Sequence, residues 1–239
     1  MTDAELVPPT APQSRNSGLS FRGLVEVFYK PTEFFKNLID NPKVLVPYIV
    51  YGVLMALFLY CTRDLVWDMV SATPKFQERL QNSPITPEQM KVFFAYQYVG
   101  VGTLAMLLGP LLAALLGLFW GNFVFAGKAR FKQLLSVMLY GEVIYAVGAV
   151  ANLALILPRE NLMANLSLGV LAASQGADSV LYAILSKFSI FLIWEIVAIG
   201  SGLSALYNVK RGHGYRLSLL SVGLLSLISI VMTAIGKLF

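Results

Sequence analysis

The sequence predicts an all-α polytopic membrane protein, a bundle of five transmembrane helices with an amphipathic interfacial segment at its amino terminus. Three observations carry that prediction. Apolar runs at 44–62, 92–126, 133–157, 180–207 and 215–236 are each long enough to cross a hydrocarbon core of roughly 30 Å. Of the 239 residues, 57% are hydrophobic and 13% charged, whereas a soluble domain carries about 25% charge. The Lys and Arg residues fall in short clusters between the runs, as topology signals and contacts to anionic lipid do. A formal net charge of +5 without a basic stripe excludes a nucleic-acid surface, so the bilayer is the partner that composition implies.

Residues 1–19 hold Pro8, Pro9, Pro12, Ser14, Ser17 and Gly18 with few large apolar groups, and predict a disordered tail. No secretory signal peptide is expected, because the first long apolar run begins only near Val44. Residues 20–43 predict two amphipathic helices on the cytosolic surface. One face carries Phe21, Leu24, Val25 and Phe28, and after Pro31 a second carries Phe34, Phe35, Leu38 and Ile39, with Arg22, Lys30, Lys36 and Lys43 on the polar sides. Packing under the bundle's own end is the other use of such faces.

The first span opens through Pro47 and is expected to end at Arg63 and Asp64. Thr86-Pro87-Glu88-Gln89 reads as a capping box, so a helix starts before the next span does. The run 92–126 would make about 52 Å of helix, enough for one long span or a tight hairpin. A single span keeps Lys128, Arg130 and Lys132 on the same side as the basic amino-terminal segment, which the positive-inside rule prefers. Gly117 and Gly121 then offer a close helix approach. Residues 162–173 are too short to cross and suit the outer interface. In the fifth span Ser218, Ser221, Ser226 and Ser229 are candidates for interhelical hydrogen bonds. The count of Lys and Arg places the amino terminus inside and the carboxyl terminus outside, although the loop after the first span has four basic residues accompanied by four acids.

Chemistry-bearing motifs are scarce. Gly100-Val101-Gly102-Thr103-Leu104-Ala105 matches a dinucleotide fingerprint in letters only, with no strand before it. His213 has no second ligand at metal-binding spacing, and Cys61 stands alone, so neither a metal nor any other cofactor is implied. No nucleophile elbow or phosphate loop occurs, so the chain reads as a non-enzyme.

The chemical oddity is a pair of intramembrane acids, Glu142 and Glu195, near the middles of their runs. Both are displaced toward the inner end and lie within roughly 3 Å in depth, which predicts one shared polar pocket. Tyr140, Tyr145, Asn152 or a serine of the fifth span would complete it, while Lys187 snorkels outward. Two carboxylates in one dry site cannot both stay ionised cheaply. A structural hydrogen-bonding role and a role in moving a small solute, ion or proton both remain open.

Four pieces of sequence resemble the Yip family of Ypt/Rab-interacting membrane proteins, especially its short bacterial branch. They are Phe28-Tyr29-Lys30-Pro31-Thr32-Glu33-Phe34-Phe35 with Asn41-Pro42 and Pro47, the linker Gly127-Lys128-Ala129-Arg130-Phe131-Lys132, Leu139-Tyr140-Gly141, and Ile193-Trp194-Glu195 with Gly200. The resemblance implies a five-helix bundle without a catalytic centre, a protein partner at the cytosolic face and a role in membrane organisation or trafficking. In eukaryotic relatives that partner is a Rab GTPase. The relatives' Asp-Leu-Tyr-Gly-Pro motif is missing before the first span, which puts GTPase binding in question and favours a bacterial cytoplasmic membrane. Homo-oligomerisation is left open.

Overall fold

The computed structural model describes residues 21–176 and 179–238, with side chains to residue 233. The expected disordered tail at 1–19 lies outside the described residues. The chain forms α1 (Arg22–Tyr29), α2 (Pro31–Asp40), α3 (Leu45–Ser71), α4 (Pro74–Gln81), α5 (Pro87–Val124), α6 (Phe131–Arg159), α7 (Val180–Leu185), α8 (Ile190–Tyr207) and α9 (Arg211–Thr233). Helices α3, α5, α6, α8 and α9 are long and apolar enough to cross a membrane. The fold is the expected five-span bundle, with no strands among the described residues.

Helix α6 is the axis of the bundle. It is the most buried of the five spans, and Leu134, Met138, Leu139, Tyr140, Ile144 and Ala146 are all but sealed from the surface. Helices α3, α5 and α8 pack around it. Small residues set how closely they approach. A Cβ on Gly117 would meet Met138 and Leu134 of α6 and Ser221 of α9, and one on Gly121 would collide with the Tyr207 ring.

The run 92–126 resolves as one helix of 38 residues, α5, about 57 Å long at 1.5 Å per residue. It starts in the predicted capping box: Thr86 Oγ1 accepts from the Gln89 amide at 3.3 Å, and the Thr86 amide donates to Gln89 Oε1 at 3.0 Å. The helix departs from α geometry in π turns at Gln97–Val101 and Phe119–Val124.

Three element boundaries differ from the sequence expectation. Helix α3 runs past Arg63 and Asp64 to Ser71, because charge ends an apolar run without ending a helix. Asp64 pairs with Lys91 of α5 at 3.1 Å, and Trp67 packs on Phe76 and Phe94, so α3, α4 and α5 stay together beyond the apolar zone. The run 180–207 is two helices, not one. It breaks at Ser186–Ser189, where Ser189 Oγ caps α8 by accepting from the Leu192 amide at 3.0 Å and the Phe188 carbonyl accepts from Leu168 at 2.9 Å. The Gly212-His213-Gly214 stretch, expected as a loop, is the first turn of α9, and Gly214 is buried where α9 crosses α8.

One end of the bundle carries the basic linkers and is tied together by specific polar contacts. Asn122 holds both the amide and the carbonyl of Ala129, at 2.9 and 2.7 Å, and accepts from the Tyr207 hydroxyl at 3.0 Å. Gln133 donates to the Ile39 carbonyl at 3.1 Å and Ser136 to the Lys43 carbonyl at 2.7 Å, which fixes the exit of α2 against the start of α6.

Helices α1 and α2 are amphipathic, and their apolar faces meet the bundle itself. Val27 and Phe35 are fully buried, Phe34 packs edge-on to Tyr140 at 4.7 Å, and Phe28 reaches Trp194 at 5.7 Å. Trp194 lies about 20 Å along α8 from its basic end. The pair packs against α6 and α8, with Phe21, Val25 and Tyr29 left exposed on the other side.

Candidate functional site

Glu142 and Glu195 reach the same space from neighbouring helices. Gly141 lets the two helices meet closely: a Cβ there would stand 2.2 Å from Ile199 Cγ1 of α8, so a larger residue would push α8 away, and the Glu195 stem lies alongside with its Cγ at 3.6 Å. Both acids line a cavity of about 210 Å³ bounded by α5, α6, α8 and α9. Tyr145, Lys187, Ser226 and Ser229 line it too. Glu195 is 2% exposed, yet no described residue hydrogen-bonds or ion-pairs with its carboxyl group. Glu142 neighbours Tyr51 of α3, whose hydroxyl donates to the Met106 carbonyl at 3.3 Å.

A second cavity of about 330 Å³ adjoins the first, and Tyr145 and Lys187 line both. It leads toward the end of the bundle opposite the basic linkers, past Thr62, Tyr98, Asn152, Asn165, Tyr182 and Ser186. The polar groups at that end mostly satisfy one another. Asn152 accepts from the Leu166 amide at 2.8 Å, Asn165 donates to the Tyr182 hydroxyl at 3.3 Å, and Ser167 donates to Asn165 Oδ1.

Of the five residues singled out from the sequence, the structure gathers Glu142, Glu195 and Tyr145 around one cavity and leaves the other two outside it. Tyr140 faces the opposite way, into Phe34 and α1, and Asn152 serves the far loop. Ser218 makes the interhelical bond expected of it, to the Ile196 carbonyl at 2.9 Å, whereas Ser221 bonds within its own helix and Ser226 and Ser229 face the cavity.

Tyr51 is an addition that the sequence did not signal, and Lys187, expected to snorkel outward, lines the cavity. Lys187 sits in the break before α8, which aims it at the cavity mouth and not outward along a continuous helix; the capping pattern Ser186-Lys187-Phe188-Ser189 was the available signal. Nothing in the local sequence of α3 marks Tyr51. Among the described residues no group of three His, Cys, Asp or Glu is placed to hold a metal ion.

This architecture, with an amphipathic helix pair locked against a five-span bundle, coincides with a family match. The family model described as the Yip1 domain covers residues 25–233. The chain belongs to the Yip family. No curated protein and no solved structure matches it. As a Yip-family member with five apolar helices of spanning length, the protein is an integral membrane protein. The matched region takes in α1 from Val25, so the docked helix pair belongs to the domain and is not an appendage to it.

Proposed function

We propose that this Yip-family protein is a non-enzymatic organiser of a bacterial cytoplasmic membrane, which holds a protein partner at its cytosolic face. The observation that carries this reading is the α1–α2 pair. Its inner face is locked to the bundle through Phe34, Phe35 and Leu38, while Phe21, Val25 and Tyr29 form an uncovered stripe flanked by Arg22 and Lys30. A rigid base with an uncovered aromatic stripe suits docking, because the surface is ordered before the partner arrives. Photo-crosslinking residues placed at Val25 and Tyr29 in native membranes should yield a discrete adduct with a soluble or membrane protein. Adducts with lipid alone would sink the scaffold and leave a lipid-anchoring stripe.

The reading requires the amino terminus inside and the carboxyl terminus outside. The basic linkers at 127–132 and 208–211 lie at the same end as the exit of α2, which supports that sense. Reporter fusions after Lys132 and after Phe239 should fall on opposite faces of the membrane. Two reporters on one face would refute it.

A second reading, movement of an ion or small solute, is favoured by the adjoining cavities and the unpartnered Glu195. It does not compete with the first for the same surface, since α1 and α2 contribute no residue to either cavity.

A further inference from the structure

Glu195 poses an electrostatic problem that its surroundings leave unsolved. A carboxylate 98% withdrawn from solvent costs several kcal/mol unless positive charge accompanies it, and a second acid on the same cavity raises that cost. The groups facing it are Tyr51 from α3, Glu142 and Tyr145 from α6, Ser226 and Ser229 from α9, and Lys187 from the break before α8; α5 supplies only Gly109 and Ala113. Lys187 is the lone cation among them, and it stands at the mouth with no described acid within ion-pairing distance. The carboxyl oxygens of Glu195 face the cavity and not a protein donor.

We infer that the Glu142–Glu195 cavity is an exchange site for one positive charge, a proton or an alkali-metal ion, which enters past Tyr145 and Lys187 and competes with the Lys187 ammonium for the carboxylates. The volume of about 210 Å³ holds such an ion with several waters. Tyr145, Ser226 and Ser229 offer hydroxyl oxygens to a monovalent ion. A divalent ion would need more carboxylate or carbonyl oxygen than two acids supply, and Lys187 opposes a second charge. Lys187 makes the site exchangeable: it lowers the affinity for the incoming charge and offers a tethered replacement when that charge leaves.

The inference rests on reading the cavities as water-connected, but not on net flux, so equilibrium binding is the measurement. The full chain in nanodiscs is titrated by infrared difference spectroscopy from mildly acid to mildly alkaline buffer in choline chloride. It is then titrated with sodium or lithium chloride at the alkaline end. A protonated-carboxyl band that disappears on raising pH, and is absent from Glu195→Gln, identifies the proton as the occupant. A saturable response to sodium or lithium beyond choline, also lost in Glu195→Gln, identifies the metal ion. In either case Lys187→Met should tighten binding severalfold. Where Glu195→Gln does not give monodisperse protein, Glu195→Asp should shift the midpoint instead. A carboxyl band constant across the range together with no ion-specific response overturns the site. So does a response that survives intact in Glu195→Gln, and an unchanged midpoint in Lys187→Met removes the competition. Binding without flux in proteoliposomes would sink the transport reading and leave the exchange site standing.

Discussion

Gly214→Ala should lower the stability of the bundle by about 3 kcal/mol, the upper part of the range for overpacked cores. A Cβ at this position would stand 2.0 Å from Ser204 Oγ, 2.2 Å from the Gly200 carbonyl oxygen and 2.7 Å from the Ser204 amide nitrogen. Two of those three atoms are backbone, so no rotamer change relieves the clash. The crossing of α9 on α8 would have to open along its length, loosening Ser218 from the Ile196 carbonyl and Ser204 from the Arg211 carbonyl, bonds of 2.9 and 3.4 Å. Gly212→Ala is the matched control, since nothing lies within 4 Å of a Cβ there, and alanine is the better helix former. The midpoint of unfolding in mixed micelles should fall sharply for Gly214→Ala and hold or rise for Gly212→Ala. Equal midpoints for the two variants would show that the α8–α9 crossing is looser than described.

Phe35→Ala should release the α1–α2 pair while leaving the five spans folded. Phe35 is fully buried against Val137 and Gly202, where its ring already sits 3.0 Å from the Cβ that Gly202 lacks. Truncating such a ring costs about 3–5 kcal/mol in a water-soluble core. Here the figure is nearer 3, because an undocked α2 rests its apolar face on lipid and recovers part of the burial. The effect is local, since α2 touches the bundle chiefly through Phe34, Phe35 and Leu38 together with the carbonyl of Ile39. Protease should cut within residues 21–44 in the variant and not in the parent, with the spans intact in both. Phe35→Leu, which keeps most of the volume, should restore resistance. Unchanged resistance in Phe35→Ala would mean that the pair is held by something other than this core. Crosslinks from Val25 and Tyr29 to a partner should then be lost together with docking, which ties the stability measurement to the proposed function.

The bilayer makes much of this molecule readable from its sequence. In hydrocarbon every backbone group must be satisfied within its own segment, so apolar length translates directly into helix and span. That is why the run 92–126 could be assigned to one helix and why Thr86–Gln89 located its start. The amphipathic period after Pro31 likewise identified the buried positions Phe34, Phe35 and Leu38, whereas in α1 it grouped the exposed Phe21 and Val25 with the half-buried Leu24 and Phe28 and passed over the buried Val27. Depth followed from counting rise along α6 and α8, which suggested that Glu142 and Glu195 could share a level.

Tertiary structure decided everything that depends on azimuth. Rise along a helix says how deep a residue lies, but the direction it faces is set by which neighbour packs there, and spans that are apolar all round carry no periodic signal of it. Tyr140 and Glu142 are two residues apart and face different surroundings, one toward Phe34 and the other the cavity. The break before α8 was hidden because Ser186–Ser189 is brief and flanked by apolar residues on both sides, and its effect is the position of Lys187. Whether α1 and α2 lie on the membrane or against the bundle was equally undetermined, since an apolar face is satisfied by lipid or by protein. Only the gap left beside Gly202, into which Phe35 fits, and the Tyr140 ring on which Phe34 packs select the protein.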